Sequence, residues 1–138
     1  MTFDEWVDFY NSKNPQDPFN RDERFNLLFL EDKGFCEVVF DEQMVFIGQV
    51  CGDARYWLKN IEDAARKIGI RHGGTVDIRS QIKAYLRLFG YKITETIDLP
   101  DGNKRYLAVH RETGRKLRAS PAFSYDDGKL AYGVTWEI

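Results

Sequence analysis

The apolar positions change period several times along the chain, and each change marks an element. Phe3, Trp6, Val7 and Tyr10 recur at spacings of three and four. They follow Thr2-Phe3-Asp4-Glu5, which has the spacing of a capping box, so a short amphipathic helix is predicted over 3–11. Residues 11–24 hold Pro15 and Pro18 among Asn, Asp and Ser and predict an irregular loop. Three β-branched and aromatic segments follow, 25–30, 34–40 and 43–50, separated by short turn-like stretches, and these predict an antiparallel meander. Asp53 can cap a helix whose apolar stripe is Ala54, Trp57, Leu58, Ile61, Ala64, Ala65 and Ile68, closed by Gly69. After an extended stretch over 70–76, Asp77 is expected to cap a second helix. Its buried face would be Ile78, Ile82, Tyr85, Leu86 and Phe89, with Gly90 closing it.

From Tyr91 onward the pattern is strand and turn: 91–97, the turn at Pro100-Asp101-Gly102-Asn103, 105–110, the turn at Glu112-Thr113-Gly114, then 122–125 and 130–138. Asp126-Asp127-Gly128-Lys129 joins the last two as a hairpin. Leu130, Tyr132, Val134, Trp136 and Ile138 alternate strictly, so the last strand should bury one face.

The chain has 138 residues, 43% hydrophobic and 30% charged, which suits one compact domain with its own core. Its longest apolar runs fall far short of the roughly 20 residues that span a bilayer. The acidic start Met1-Thr2-Phe3-Asp4-Glu5 lacks the basic and apolar regions of a secretory signal, so a cytoplasmic location is expected and no membrane partner. Cys36 and Cys51 then read as small core hydrophobes. Charge is uneven: residues 1–50 hold 4 basic and 11 acidic side chains, and residues 51–138 hold 16 and 11. The densest basic stretch is Lys104, Arg105, His110, Arg111, Arg115, Lys116 and Arg118. It could face phosphate, but its interleaving with turn and strand signals suits the solvated face of a hairpin, and nucleic acid is not the expected partner.

His72 and His110 are not at metal-ligand spacing from a cysteine or from each other, and no metal is expected. His72 stands before Gly73-Gly74, where a general base with Arg71 or Arg79 holding an anion is one reading and an exposed strand-end histidine the other. Gln49-Val50-Cys51-Gly52-Asp53-Ala54-Arg55 runs from a strand into a helix start, a place where free backbone N–H groups bind anions; Asp53 capping that helix is the alternative.

Ala84-Tyr85-Leu86-Arg87-Leu88-Phe89-Gly90-Tyr91 resembles the closing helix and strand of the GNAT acyltransferases, written A-x-Y-x-x-x-G-F, and the element order resembles that fold over most of the chain. The resemblance implies an α+β, GNAT-like class: a mixed, mainly antiparallel sheet flanked by helices, with C-terminal β-hairpins. It implies one domain over 1–138, with an N-terminal helix and loop (1–24), a core (25–97) and C-terminal hairpins (98–138). Gln49 to Ala54 satisfies the family's Q/R-x-x-G-x-G/A loop, which implies acetyl-CoA or another acyl-CoA held by Gln49, Val50, Cys51, Gly52, Asp53, Ala54 and Arg55. A substrate cleft would lie near Glu37, His72 and Tyr85. Tyr85 is one place from the family's acid position, and its place in the apolar stripe favours a packed core tyrosine.

Cys51-Gly52-Asp53 at a strand end, with a Trp-bearing helix after it, also resembles small GNAT-like proteins of tailed bacteriophages and prophages. The implied function is an N-acyltransferase with an altered site, acting on a small-molecule or protein amine. The alternative is a non-enzymatic binding or virion-associated protein, and a homodimer or virion component fits either.

Overall fold

The computed structural model describes residues 1–78 and 81–138, the side chain of Asp77 excepted, and resolves into two compact units, Met1–Ile70 and Arg71–Ile138. The division falls inside the stretch 25–97 that the sequence groups as a core.

The first unit opens with α1 (Phe3–Lys13), where Thr2 Oγ1 accepts from Glu5 N at 3.2 Å and Glu5 Oε1 accepts from Thr2 N at 2.9 Å. Both halves of the capping box are formed, and the helix runs two residues beyond the expected end. The meander is present as β1 (Asn26–Leu30), β2 (Gly34–Phe40) and β3 (Met44–Gly52). Phe3 is the reason α1 lies on it. Its ring meets those of Phe19, Phe29 and Phe35 edge-on, with centroids 5.8, 5.6 and 5.6 Å away. Phe35 is fully buried, a contribution of about 2 kcal/mol from area alone. At the far end of the meander, Gly34 and Gly52 face each other with φ of +92° and +99°. A Cβ on Gly34 would strike the Cys51 carbonyl and one on Gly52 the Lys33 carbonyl, so this approach requires glycine on both strands. From there α2 (Ala54–Lys67) buries Trp57, Ile61 and Ala65 at the expected spacings.

The second unit contains β4 (His72–Ile78), α3 (Ile82–Leu88), β5 (Tyr91–Asp98), β6 (Lys104–His110), β7 (Lys116–Ser124) and β8 (Leu130–Glu137). Its strands lie in the order β4-β8-β7-β6-β5, and every neighbouring pair is antiparallel. Tyr132, Val134, Trp136 and Ile138 are buried, as their alternation requires, and they meet Tyr106, Ala108, Leu117 and Ala119 on one face.

Three expectations are corrected here. The GNAT-like, helix-flanked class is not what forms: strands take 44% of the described residues and helices 24%, in three helices, the last only seven residues long. The C-terminal hairpins expected over 98–138 make up most of the second unit's sheet, where β8 pairs with both β7 and β4. The second helix begins at Ile82, not Ile78, and its cap position Gln81 makes no side-chain bond; Asp77 and Ile78 belong to β4, where Ile78 pairs with Tyr132. The strand expected at 122–125 starts at Lys116. Pro121, which argues against a strand, is accommodated by a register shift between Pro121 and Phe123. Among the described residues no helix is long and apolar enough to cross a membrane.

Candidate functional site

Glu37 interrupts the apolar run of β2 and is 1% exposed, so its carboxylate must find partners inside the protein. β3 supplies two. Cys36 pairs with Val50 and Val38 with Ile47, which leaves Gly48 and Gln49 opposite the single residue Glu37. This two-against-one bulge turns Gln49 toward the carboxylate, so that its backbone N and its Nε2 both donate to Glu37 Oε1, at 3.3 and 2.7 Å. Gly48 leaves room beside it, since a Cβ there would lie 3.1 Å from both Glu37 Cβ and Oε1 and push on the carboxylate.

The loop before β1 supplies the other two donors. Asn11 Oδ1 accepts from Phe19 N at 2.7 Å, and the Phe19 ring packs on Phe3, Tyr10 and Phe35, which fixes the middle of the loop. Asn20, Arg21 and Asp22 then lie over the bulge. Arg21 Nη1 donates to Glu37 Oε2 at 2.9 Å and Asp22 N donates to the same oxygen at 3.1 Å. Arg21 Nη2 also donates to Phe25 O at 2.8 Å, and Gln49 and Asn20 exchange two bonds, Nε2 to O at 2.6 Å and N to Oε1 at 3.0 Å. Asp22 in turn holds Arg24, whose guanidinium keeps the Asp22 carboxyl down at about 2. Four donors fill the four lone-pair positions of Glu37. A general base needs one of those positions open to its substrate, so in this arrangement Glu37 positions the loop on the sheet.

The remaining residues of the expected cofactor loop lead away from this node. Val50 and Cys51 continue β3; Cys51 is buried, with Sγ donating to Trp6 O at 3.6 Å, and burial pushes its thiol pKa up. Gly52 serves the close approach to Gly34. Asp53 accepts from Tyr56 N at 3.0 Å, and its own N donates to Lys33 O at 2.9 Å. Lys33 stands 3.6 Å from the Asp53 carboxylate and over the Tyr56 ring, while Trp57 Nε1 donates to Lys33 O at 3.0 Å. The start of α2 is thus capped from within the chain. Ala54 is its first residue, and Arg55 is exposed on its first turn.

In the second unit, His72 opens β4, exposed and opposite Glu137. Tyr85 sits half-buried on α3 with its ring 4.8 Å from that of Phe89. Arg71 O accepts from Ile138 N at 2.7 Å, and Arg79 lies outside the described residues. His110 serves its own turn, where Nδ1 accepts from Glu112 N at 3.2 Å.

The basic stretch becomes a surface. Opposite the buried face of the second unit's strands, Arg118 pairs with Leu107 and Lys116 with Val109, while Lys92 pairs with Val109 from the other side. Arg105 joins the same face by donating from Nε to Ser120 Oγ at 3.0 Å. Lys92, Lys116 and Arg118 are exposed, and among the described residues none of the three is held in an ion pair. Lys104, by contrast, is tied to Asp98 at 2.6 Å. The second unit carries 12 basic and 8 acidic residues, net +4, and the first 8 and 14, net −6.

Two features here have signals in the sequence. A lone Glu within Phe35-Cys36-Glu37-Val38-Val39-Phe40 demands a buried cation or several N–H donors, and Asn20-Arg21-Asp22 is the polar run able to provide them. In a strand over 105–110 successive side chains take opposite faces, and this sorts Arg105 onto the face opposite Tyr106. No family model matches the chain, and no curated protein or solved structure does either.

Proposed function

We propose that the protein is a non-enzymatic binding module that engages an acidic protein surface through the open face of the strands of its second unit. The observation that carries this is the row of unpaired cations Lys92, Lys116 and Arg118 held at fixed register around Leu107 and Val109. An antiparallel sheet face fixes its side chains without loops, so cations and aliphatic groups are presented with little further ordering on binding. The alternation of Lys and Arg with Leu and Val, with Glu95 and Glu137 on the same face, favours a protein over a nucleic acid. Glu95 pairs with Leu107 and Glu137 with His72, and carboxylates at these places would repel a phosphate backbone. The first unit supports the same reading, since its buried carboxylate is saturated and its α2 start is capped.

Retention on immobilised poly-glutamate tests it. The wild type should elute at higher salt than a Lys116→Glu/Arg118→Glu double variant, and neither should be retained on duplex DNA. Equal elution of the two proteins would overturn the proposal, and preferential retention on DNA would replace the partner class. Calorimetric titration with coenzyme A tests the enzymatic alternative directly: heat at micromolar ligand that disappears in Arg55→Glu, a variant at an exposed position, would favour an acyltransferase.

A further inference from the structure

Arg105 differs from the other cations on the open face of the second unit's strands: its guanidinium is held in place. Tyr106 pairs with Ala119 on the buried side, so the next positions, Arg105 on β6 and Ser120 on β7, meet on the open side. There Arg105 Nε donates to Ser120 Oγ at 3.0 Å, and both residues are half-buried. Lys92, Lys116 and Arg118 are exposed, and among the described residues no hydrogen bond fixes their side-chain nitrogens.

The bond to Ser120 uses one of the five N–H donors of a guanidinium. Among the described residues Arg105 makes no ion pair and no second side-chain hydrogen bond, so the N–H groups on Nη1 and Nη2 are open. Those two nitrogens form the edge that meets a carboxylate through two parallel bonds. With its orientation already set, Arg105 has less rotamer freedom to lose than an exposed lysine, and a guanidinium is more weakly hydrated than an ammonium. Glu95, opposite Leu107 on the same face, disfavours a doubly charged phosphate more than a singly charged carboxylate.

We infer, on the function proposed above, that Arg105, aligned by Ser120, is the residue of this face that holds an aspartate or glutamate side chain of the partner at two points. Lys92, Lys116 and Arg118 supply attraction that depends on charge alone. Binding then depends on the shape of one cation and not only on how many cations the face carries.

Charge-conserving variants on immobilised poly-glutamate test this, each with its fold verified by circular dichroism. Arg105→Lys keeps the charge and removes the planar fork, so it should elute at lower salt than the wild type. Arg87→Lys, the same change at an exposed position of α3, should elute with the wild type. Ser120→Ala leaves Arg105 intact but removes the acceptor that aligns it, and should also elute at lower salt. Ser120→Thr keeps a hydroxyl and should restore the wild-type position. Equal elution of Arg105→Lys and the wild type would overturn the inference, as would equal losses in Ser120→Ala and Ser120→Thr. In either case the contrast between the wild type and Lys116→Glu/Arg118→Glu still decides the proposed function by itself, whereas a wild type that is not retained at all would overturn both.

Discussion

The Glu37 carboxylate accepts both the backbone and the side-chain N–H of Gln49, at 3.3 and 2.7 Å, because β3 carries one residue more than β2 at that point. With Arg21 and Asp22 N closing the other oxygen, one buried acid ties the loop before β1 to two strands.

Replacing Glu37 by Gln therefore does more than remove a charge. The new amide puts an N–H₂ where N–H donors already converge, so at least one buried donor loses its acceptor. Urea denaturation should show a loss of about 2 kcal/mol, within the range for one unsatisfied buried group. A loss under about 0.5 kcal/mol would mean that the node does not hold the loop.

The Gly34–Gly52 approach predicts a difference between two glycines of similar backbone angle. Gly102 has φ of +86° with nothing near its missing Cβ, so Gly102→Ala should cost only the conformational strain of about 1–2 kcal/mol. Gly52→Ala adds a collision with the Lys33 carbonyl and should cost at least about 3 kcal/mol or prevent folding. Thermal melting of the two variants side by side measures the excess, and equal losses would refute the requirement.

Burial, and then the neighbouring Glu37 carboxylate, push the Cys36 thiol up to about 12. In the folded protein it should resist a disulfide reagent at pH 8 and react fully only in denaturant. Because the folded value is the raised one, its contribution to stability is complete below the ordinary thiol range. That contribution declines as pH rises from about 8.5 toward 12, where the unfolded chain ionises first.

Asp22 acts in the opposite direction. Its hydrogen bonds from Arg24 hold the folded value at about 2, so the ionised form favours the fold. That contribution is present above about pH 4 and is lost as pH falls through 2. The difference in melting temperature between wild type and Asp22→Asn should shrink across that window, and a difference unchanged at pH 2 would assign the effect to something other than the charge.

Much of the fold was legible in local patterns. The capping box at Thr2 and Glu5, the Asp53 cap with its stripe from Trp57 to Ala65, and the alternation from Tyr132 to Ile138 each report a period and a boundary set by residues close in sequence. The second helix was misplaced because Asp77 and Ile78 suit a helix start locally, while pairing with Tyr132, far along the chain, holds Ile78 in a strand. The GNAT-like class failed for a related reason: the order of elements was read without knowing that β8 would lie between β4 and β7.

The sequence by itself determined the first helix, the three-stranded meander, the helix that follows Asp53 and the alternating last strand, and that Glu37 would be an acid in an apolar strand. Tertiary structure alone decided what Glu37 does, since its partners Arg21 and Gln49 lie 16 and 12 residues away and meet it only through a bulge. It also decided that Lys92, Lys116 and Arg118 share one face. Periodicity is a local property of the chain, whereas register depends on which distant strand excludes water from which side, and a shift of one residue would have turned those cations inward.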